Sequence, residues 1–260
     1  MALVAYRIDL QYDGGRFNGW ARQPGLPSVE ASLQDALRTV LGIDVPLTVA
    51  GRTDAGVHAR RQVAGFPVPD EVLQERGLID GEAHRRLLFS LNQLTPPGLA
   101  VTGVGPSPGF DARRDVHARS YRYFIWREQV RSPFVGAYSW HVPGALDHAA
   151  MTAATRLMVG SHDFTAFTPT ETQHVVMRRT LTRCRWRSRG PVLWLEVRAH
   201  TFMRHMVRTI AGTLVDVGRG IRSVDDVALL LEGAARSDAG PTAPAHGLFL
   251  WRVHYGAQSP

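Results

Sequence analysis

Apolar and polar residues alternate over residues 4–12 (VAYRIDLQY), the period of a strand with one buried face. Residues 28–41 predict a helix, 47–51 and 62–68 two short strands, and 71–91 one long helix. After a crossing segment at 110–119, Tyr121, Tyr123 and Ile125 alternate with Arg122, Phe124 and Trp126 in a further strand, and a helix follows over 145–159. Residues 180–189 alternate again, with Arg183, Arg185 and Arg187 on one face and Cys184 and Trp186 on the other. The turn Arg189-Gly190-Pro191 pairs that strand with 194–200. Beyond Thr201 the period lengthens: Met206, Ile210, Leu214 and Val217 lie one turn apart, and Gly218 and Gly220 end an amphipathic helix. That helix carries Arg204 and Arg208 as i,i+4 neighbours beside its apolar stripe, so at least one of them approaches the interior and needs an anionic partner. A loop rich in Ala, Gly and Pro, 237–246, precedes a closing strand at 248–253.

Strands and helices are mixed without a regular βαβ phosphate motif, and the two halves echo each other coarsely, so the predicted class is α+β. A chain of 260 residues that is 44% hydrophobic and 20% charged is ordinary globular protein. With no charged-then-apolar leader and no run of eighteen apolar residues, a cytoplasmic location is expected.

Charge sharpens this picture. The formal net charge is +7, and all 30 basic residues are arginine. Without lysine, phosphate-loop, Schiff-base and kinase-type chemistries fall away. Arginine suits RNA, since its planar fork grips phosphate and stacks on bases. Coding bias accounts for the missing lysine but not for the positive surplus. The arginine face at 183–187 is a candidate RNA-contact stripe, and equally fits a solvated edge protected by charge. The single cysteine, Cys184, rules out a disulfide framework and a cysteine-rich zinc site, and its place in a strand reads as a small buried hydrophobe rather than a thiol that attacks a pyrimidine. His200 and His205 lack ligand spacing and no His-Glu-x-x-His occurs, so no metal is expected.

The most informative stretch is Gly-Arg-Thr-Asp-Ala-Gly-Val-His at residues 51–58, which holds the carboxylate of Asp54 between glycines just after a short apolar strand. A capped turn would also explain it. Three features elsewhere favour chemistry. Arg208 is a plausible ion-pair partner for Asp54, Tyr121 could stack on a base taken out of its helix, and Leu248 and Leu250 could wall the base's other face.

Together with Tyr12-Asp13-Gly14, Gly19-Trp20, residues 110–113 leading to Tyr121-Arg122-Tyr123, His162-Asp163-Phe164, the 202–212 run and Gly247-Leu248-Phe249-Leu250 near Tyr255, this stretch resembles the tRNA pseudouridine synthase A family over nearly the whole chain. The resemblance implies two similar α+β lobes sharing a continuous antiparallel sheet flanked by helices, with the active-site cleft between them: residues 1–105, carrying the catalytic aspartate, and residues 106–260. It implies isomerisation of uridine to pseudouridine in the anticodon stem-loop of tRNA, no cofactor or metal, and a homodimer in which each tRNA touches both subunits. Asp54 would be catalytic, with Arg52, Tyr121, Arg208, Leu248 and Leu250 binding substrate. Arg119 and Asp111 depart from the pattern, where a lysine and a histidine are expected, and Asp111 adds negative charge close to the expected RNA surface. Two rival readings are a tRNA methyltransferase, which lacks a Gly-rich cofactor turn here, and a non-catalytic RNA-binding protein.

Overall fold

The computed structural model of the chain describes residues 2–172 and 174–256. The chain divides into two compact units: one runs from the N-terminus to His117 and resumes at Leu250, and the other runs from Ala118 to Phe249. Both are α+β.

In the first unit β1 (Leu3–Tyr12) is followed by α1 (Val29–Leu41), β2 (Thr48–Val49), β3 (His58–Pro69), α2 (Asp70–Glu75), α3 (Gly81–Leu94) and β4 (Leu99–Pro106). β1 lies antiparallel between β3 and β4, and β2 pairs with β3. The alternation read from β1 is realised: Tyr6, Ile8, Leu10 and Tyr12 are buried while Arg7 and Asp9 stay partly exposed and form an ion pair at 2.9 Å. The Tyr6 hydroxyl donates to the Leu78 carbonyl at 3.2 Å and meets His84 Nε2 at the same distance, tying the buried face of β1 to the helices. α1 starts where Ser28 Oγ accepts from Ala31 N, and it buries Val29, Leu33, Ala36, Leu37 and Leu41 along one stripe. Each of its buried leucines contributes about 1.5–3 kcal/mol.

The long helix expected over 71–91 is two helices. Gly77 takes φ +60 and its N–H, with that of Leu78, closes the end of α2 onto Gln74 and Leu73; Asp80 then opens α3 by accepting from Ala83 N at 2.7 Å. The apolar period continues through a stop and a start signal that lie three residues apart.

β5 (Val116–Trp126) leads into the second unit, where β6 (Trp140–His141), α4 (His148–Leu157), β7 (Gly160–Asp163), β8 (Arg178–Arg189), β9 (Val192–Ala199), α5 (Met206–Gly218), α6 (Val224–Leu230) and β10 (Leu248–Tyr255) follow. β5, β9, β8 and β7 are antiparallel neighbours in that order, and β6 joins β5 in parallel. Tyr121, Tyr123 and Ile125 of β5, Leu193, Leu195 and Val197 of β9 and Cys184 of β8 are buried. α4 packs against both β8 and α5. Almost every residue of α5 is buried, so it is a core helix rather than an amphipathic one, and Gly212 lets the carbonyl of Pro241 approach where no Cβ would fit.

Candidate active site

Asp54 sits on a loop that the rest of its own unit fixes from three sides. β2 delivers the chain to it, and Ala50 N donates to Val63 O at 2.9 Å. The Asp54 carbonyl accepts from Val57 N at 3.1 Å, closing a turn in which Gly56 takes φ +77. Trp20 N donates to Thr53 O at 3.0 Å, and Gly56 N donates to Phe17 O at 3.4 Å. Glycine is required twice in this cradle. A Cβ on Gly14 would lie 2.2 Å from the Val57 carbonyl oxygen, and one on Gly19, itself at φ +91, would lie 2.8 Å from that of Thr53. The Tyr12-Asp13-Gly14 and Gly19-Trp20 motifs are thus the packing partners of the loop.

Burial varies from residue to residue along the loop. Thr53 is buried, Asp54 is half-buried and Arg52 is exposed. Beneath it the Thr53 hydroxyl lies 2.8 Å from the hydroxyl of Tyr12, which accepts from Gln62 Nε2 at 3.2 Å; the same Nε2 donates to Gly51 O at 2.8 Å. Burial pushes the Tyr12 phenol up to about 12, against smaller lowering effects of its bonds to Thr53 and Gln62, so it stays protonated and can donate to Thr53. At the far end His58, almost wholly buried, accepts from Gly14 N at 3.0 Å, with Asp13 Oδ1 3.2 Å from the same ring nitrogen. Gln62, Tyr12 and His58 are not among the site residues read from the sequence; Gln62 directly follows Arg60 and Arg61 at the start of the expected strand, where a polar residue carries no signal.

Tyr121, Arg208 and Leu248 belong to the second unit and Leu250 to the first. Tyr121 is buried, with the Phe202 ring edge-on at 5.0 Å. Leu248 and Leu250 are both buried, two residues apart on β10. Arg208 is half-buried; its Nε donates to Ala243 O at 2.8 Å and its own carbonyl accepts from Ala243 N at 3.2 Å. The neighbouring Pro244 carbonyl accepts from the Tyr123 hydroxyl at 2.9 Å. Burial pushes the Tyr123 phenol well up, only partly offset by the charge of Arg208. Arg204 is not an i,i+4 neighbour of Arg208 on one helix: α5 begins at Met206, and Arg204 is exposed in the turn before it.

The arginine stripe of β8 divides. A bulge separates Leu181 from Arg183. Arg185 is bound to Glu196 through Nε at 2.9 Å and Nη2 at 2.8 Å, and Arg122 reaches the other carboxylate oxygen at 2.7 Å. Burial raises the Glu196 carboxyl, but hydrogen bonds from Arg185 and Trp194 and the charges of Arg122 and Arg185 outweigh it and hold the group below the usual range. Arg183 and Arg187 stay exposed. Asp111 caps a turn, accepting from Arg113 N and Arg114 N at 2.8 and 2.9 Å, and Arg119 is bound to the His200 carbonyl. Cys184 is the small buried hydrophobe expected, its thiol pushed up to about 12 by burial. Among the described residues no helix is long and apolar enough to cross a membrane.

Comparisons with known proteins give the family of the chain. A family profile described as tRNA pseudouridine synthase matches residues 154–256. Among curated proteins, the tRNA pseudouridine synthase A of Syntrophotalea carbinolica is 39% identical, covering 97% of this chain and 96% of that protein. The protein of the same name from Bacillus velezensis is 38% identical over 96% of this chain and 98% of its own length, and that of Geobacter sulfurreducens 39% identical over the same shares. These relatives place the protein among the pseudouridine synthases. The chain belongs to the tRNA pseudouridine synthase A family.

Proposed function

We propose that this protein isomerises uridine to pseudouridine in the anticodon stem-loop of tRNA, with Asp54 as the catalytic residue. The observation that supports this most directly is the construction of the loop: glycines, backbone bonds and a buried hydroxyl network hold the chain around one carboxylate, in a chain whose relatives are named for this reaction. The reaction breaks the bond from ribose C1′ to uracil N1, turns the base while it is bound, and joins C1′ to C5; C5 then loses its hydrogen as a proton and N1 gains one, so there is no net redox change or hydrolysis. Whether Asp54 adds to C1′ or removes a proton from the sugar, the chemistry needs its ionised oxygen. The released base must be retained and water kept away. Tyr121 is proposed to stack on it and Leu248 and Leu250 to wall it. Arg208 is proposed as the cation that accompanies Asp54, and Arg52 as a group that contacts RNA or helps turn the base out.

The test is Asp54→Asn, which keeps size and removes the charge. Single-turnover pseudouridine formation is expected to fall about a thousandfold or more. tRNA affinity survives or rises slightly, because an anionic group has been taken from the path of a polyanion. A folded Asp54→Asn protein with near-normal turnover would exclude Asp54 from the chemistry. The active form is proposed as a homodimer with one tRNA touching both subunits; light scattering at assay concentration returning a monomer mass that is fully active would refute it.

A further inference from the structure

The hydroxyl network beneath the Asp54 loop is bonded to that loop at the two positions flanking Arg52. Gln62 Nε2 uses one hydrogen on Gly51 O (2.8 Å) and the other on the Tyr12 hydroxyl (3.2 Å), while its Oε1 accepts from Val63 N at 3.1 Å. Having accepted from Gln62, the Tyr12 hydroxyl has its own proton free for Thr53 Oγ1, 2.8 Å away. Gln62 and Tyr12 are 0% and 5% exposed, so these bonds have no water to replace them.

A strand irregularity lies beside the arrangement. Between β1 and β3, Leu10 stands opposite Gln62 but Tyr12 stands opposite Ala59, so β3 spends one extra residue. Arg60 and Arg61 are consecutively exposed at that point, between the buried pair His58 and Ala59 and a buried run from Gln62 to Phe66. Gln62 stands opposite Leu10, whose side chain shares a face of β1 with that of Tyr12, so Gln62 and Tyr12 meet diagonally across the pair, next to the bulge. The burial of Thr53 between exposed Arg52 and half-buried Asp54 follows from the clamp. With Gly51 held through its carbonyl and Thr53 through its side chain, Arg52 and Asp54 are left to leave the backbone away from the core.

We propose that Tyr12 and Gln62 are positioning residues of the isomerase: the buried chain from Gln62 through the Tyr12 hydroxyl to Thr53 fixes the direction in which Arg52 and Asp54 project toward the uridine. The inference rests on the reading of Asp54 as catalytic. It concerns groups that need not touch the substrate, and it assigns their effect to the chemical step rather than to RNA binding.

Tyr12→Phe is the informative change, since it keeps the ring that packs beside Phe17 and Trp20 and removes one oxygen. Its single-turnover rate is expected to fall about ten- to a hundredfold, the scale on which misplacement of a reacting group by about 1 Å is felt. tRNA dissociation constants should stay within about twofold, since no group at the RNA surface has changed. Thr53→Val should lose a similar factor, Thr53→Ser, which restores the acceptor oxygen, should recover it, and Tyr12→Phe combined with Thr53→Val should lose no more than either alone. A purely structural role predicts instead lower melting temperatures with the rate per folded molecule unchanged, which would overturn the proposal, as would losses that multiply in the double variant. If Tyr12→Phe is unfolded at the assay temperature, the Thr53→Val and Thr53→Ser pair decides the same question. Asp54→Asn in the same assay separates the two readings. A dead Asp54→Asn beside a normal Tyr12→Phe sinks only the positioning role, whereas a live Asp54→Asn removes the catalytic assignment on which it stands.

Discussion

Three glycines of the first unit differ in a way that separates backbone strain from steric exclusion around the Asp54 loop. At Gly25, φ is +71 and an added Cβ meets nothing within 4 Å, so Gly25→Ala tests conformation alone. Placing alanine in the left-handed region costs about 1 kcal/mol after the gain from a stiffer unfolded chain. Gly14 has no such φ, but its Cβ would sit 2.2 Å from the Val57 carbonyl oxygen and 2.3 Å from its carbon, so Gly14→Ala tests exclusion alone. Because the obstructing atoms are backbone, the cost belongs at the upper end of the overpacking range, about 3 kcal/mol. Gly19 combines φ +91 with a 2.8 Å approach to the Thr53 carbonyl, and Gly19→Ala should cost about 2–4 kcal/mol. Small domains commonly hold about 5–15 kcal/mol, so all three variants should fold at 25 °C. Ordinary contact begins at 3.4 Å, so Val57 must retreat by about 1.2 Å in Gly14→Ala and Thr53 by about 0.6 Å in Gly19→Ala. Single-turnover rates should therefore fall about a hundredfold and about tenfold respectively, with that of Gly25→Ala at the wild-type value. Urea unfolding beside single-turnover assays reads both columns. Equal destabilisation at positions 14 and 25, or full turnover in Gly14→Ala, would refute the idea that these glycines exist to admit the loop.

Glu196→Gln should cost about 1–3 kcal/mol at pH 7, the range of charge-assisted hydrogen bonds, discounted because Arg185 is partly exposed. The folded carboxyl is held low, so its stabilisation is complete above the unfolded value of about 4.3 and is lost as pH falls through the lower folded value; a wild-type-to-variant gap that persists undiminished at acid pH would contradict it. Cys184, buried and protonated, should react with iodoacetamide at neutral pH only as fast as the protein unfolds, and rapid labelling of native protein would place it elsewhere. The arginine surplus predicts that the logarithm of tRNA affinity falls linearly with the logarithm of salt, and that Arg187→Ala lowers the slope by more than Arg185→Ala, whose side chain already holds Glu196; equal slopes would remove β8 from the RNA interface.

Strand periodicity in β1, β5, β8 and β9 survived folding because each of these strands has one face in a core, so the pattern records burial directly. The division of 71–94 into two helices was written in Gly77 and Asp80, yet apolar residues kept the period on either side and masked it. The period from Met206 to Val217 likewise gave the helix but not its start, since His205 takes φ +60, which the spacing of apolar side chains does not announce. At the candidate site, Asp54 and the glycines around it were legible because a constrained loop demands particular residue types. Gln62 was not, because its role depends on a bond to Tyr12, far away along the chain, and pairing between strands distant in sequence leaves no local mark.

The unit that carries Asp54 is completed by a strand that is made only after the whole of the second unit. Tyr255 donates to Ala112 O at 2.8 Å and lies under the guanidinium of Arg7, and Trp251 lies under that of Arg60, so the final strand is stapled to residues synthesised far earlier. β10 also supplies the neighbour of β3. During translation β3 must wait with an open edge while the whole of the second unit emerges, a period in which pairing with another nascent chain competes with the native strand. Completion is therefore inverted relative to synthesis: all of residues 118–249 emerge before the unit that begins at the N-terminus receives its last strand.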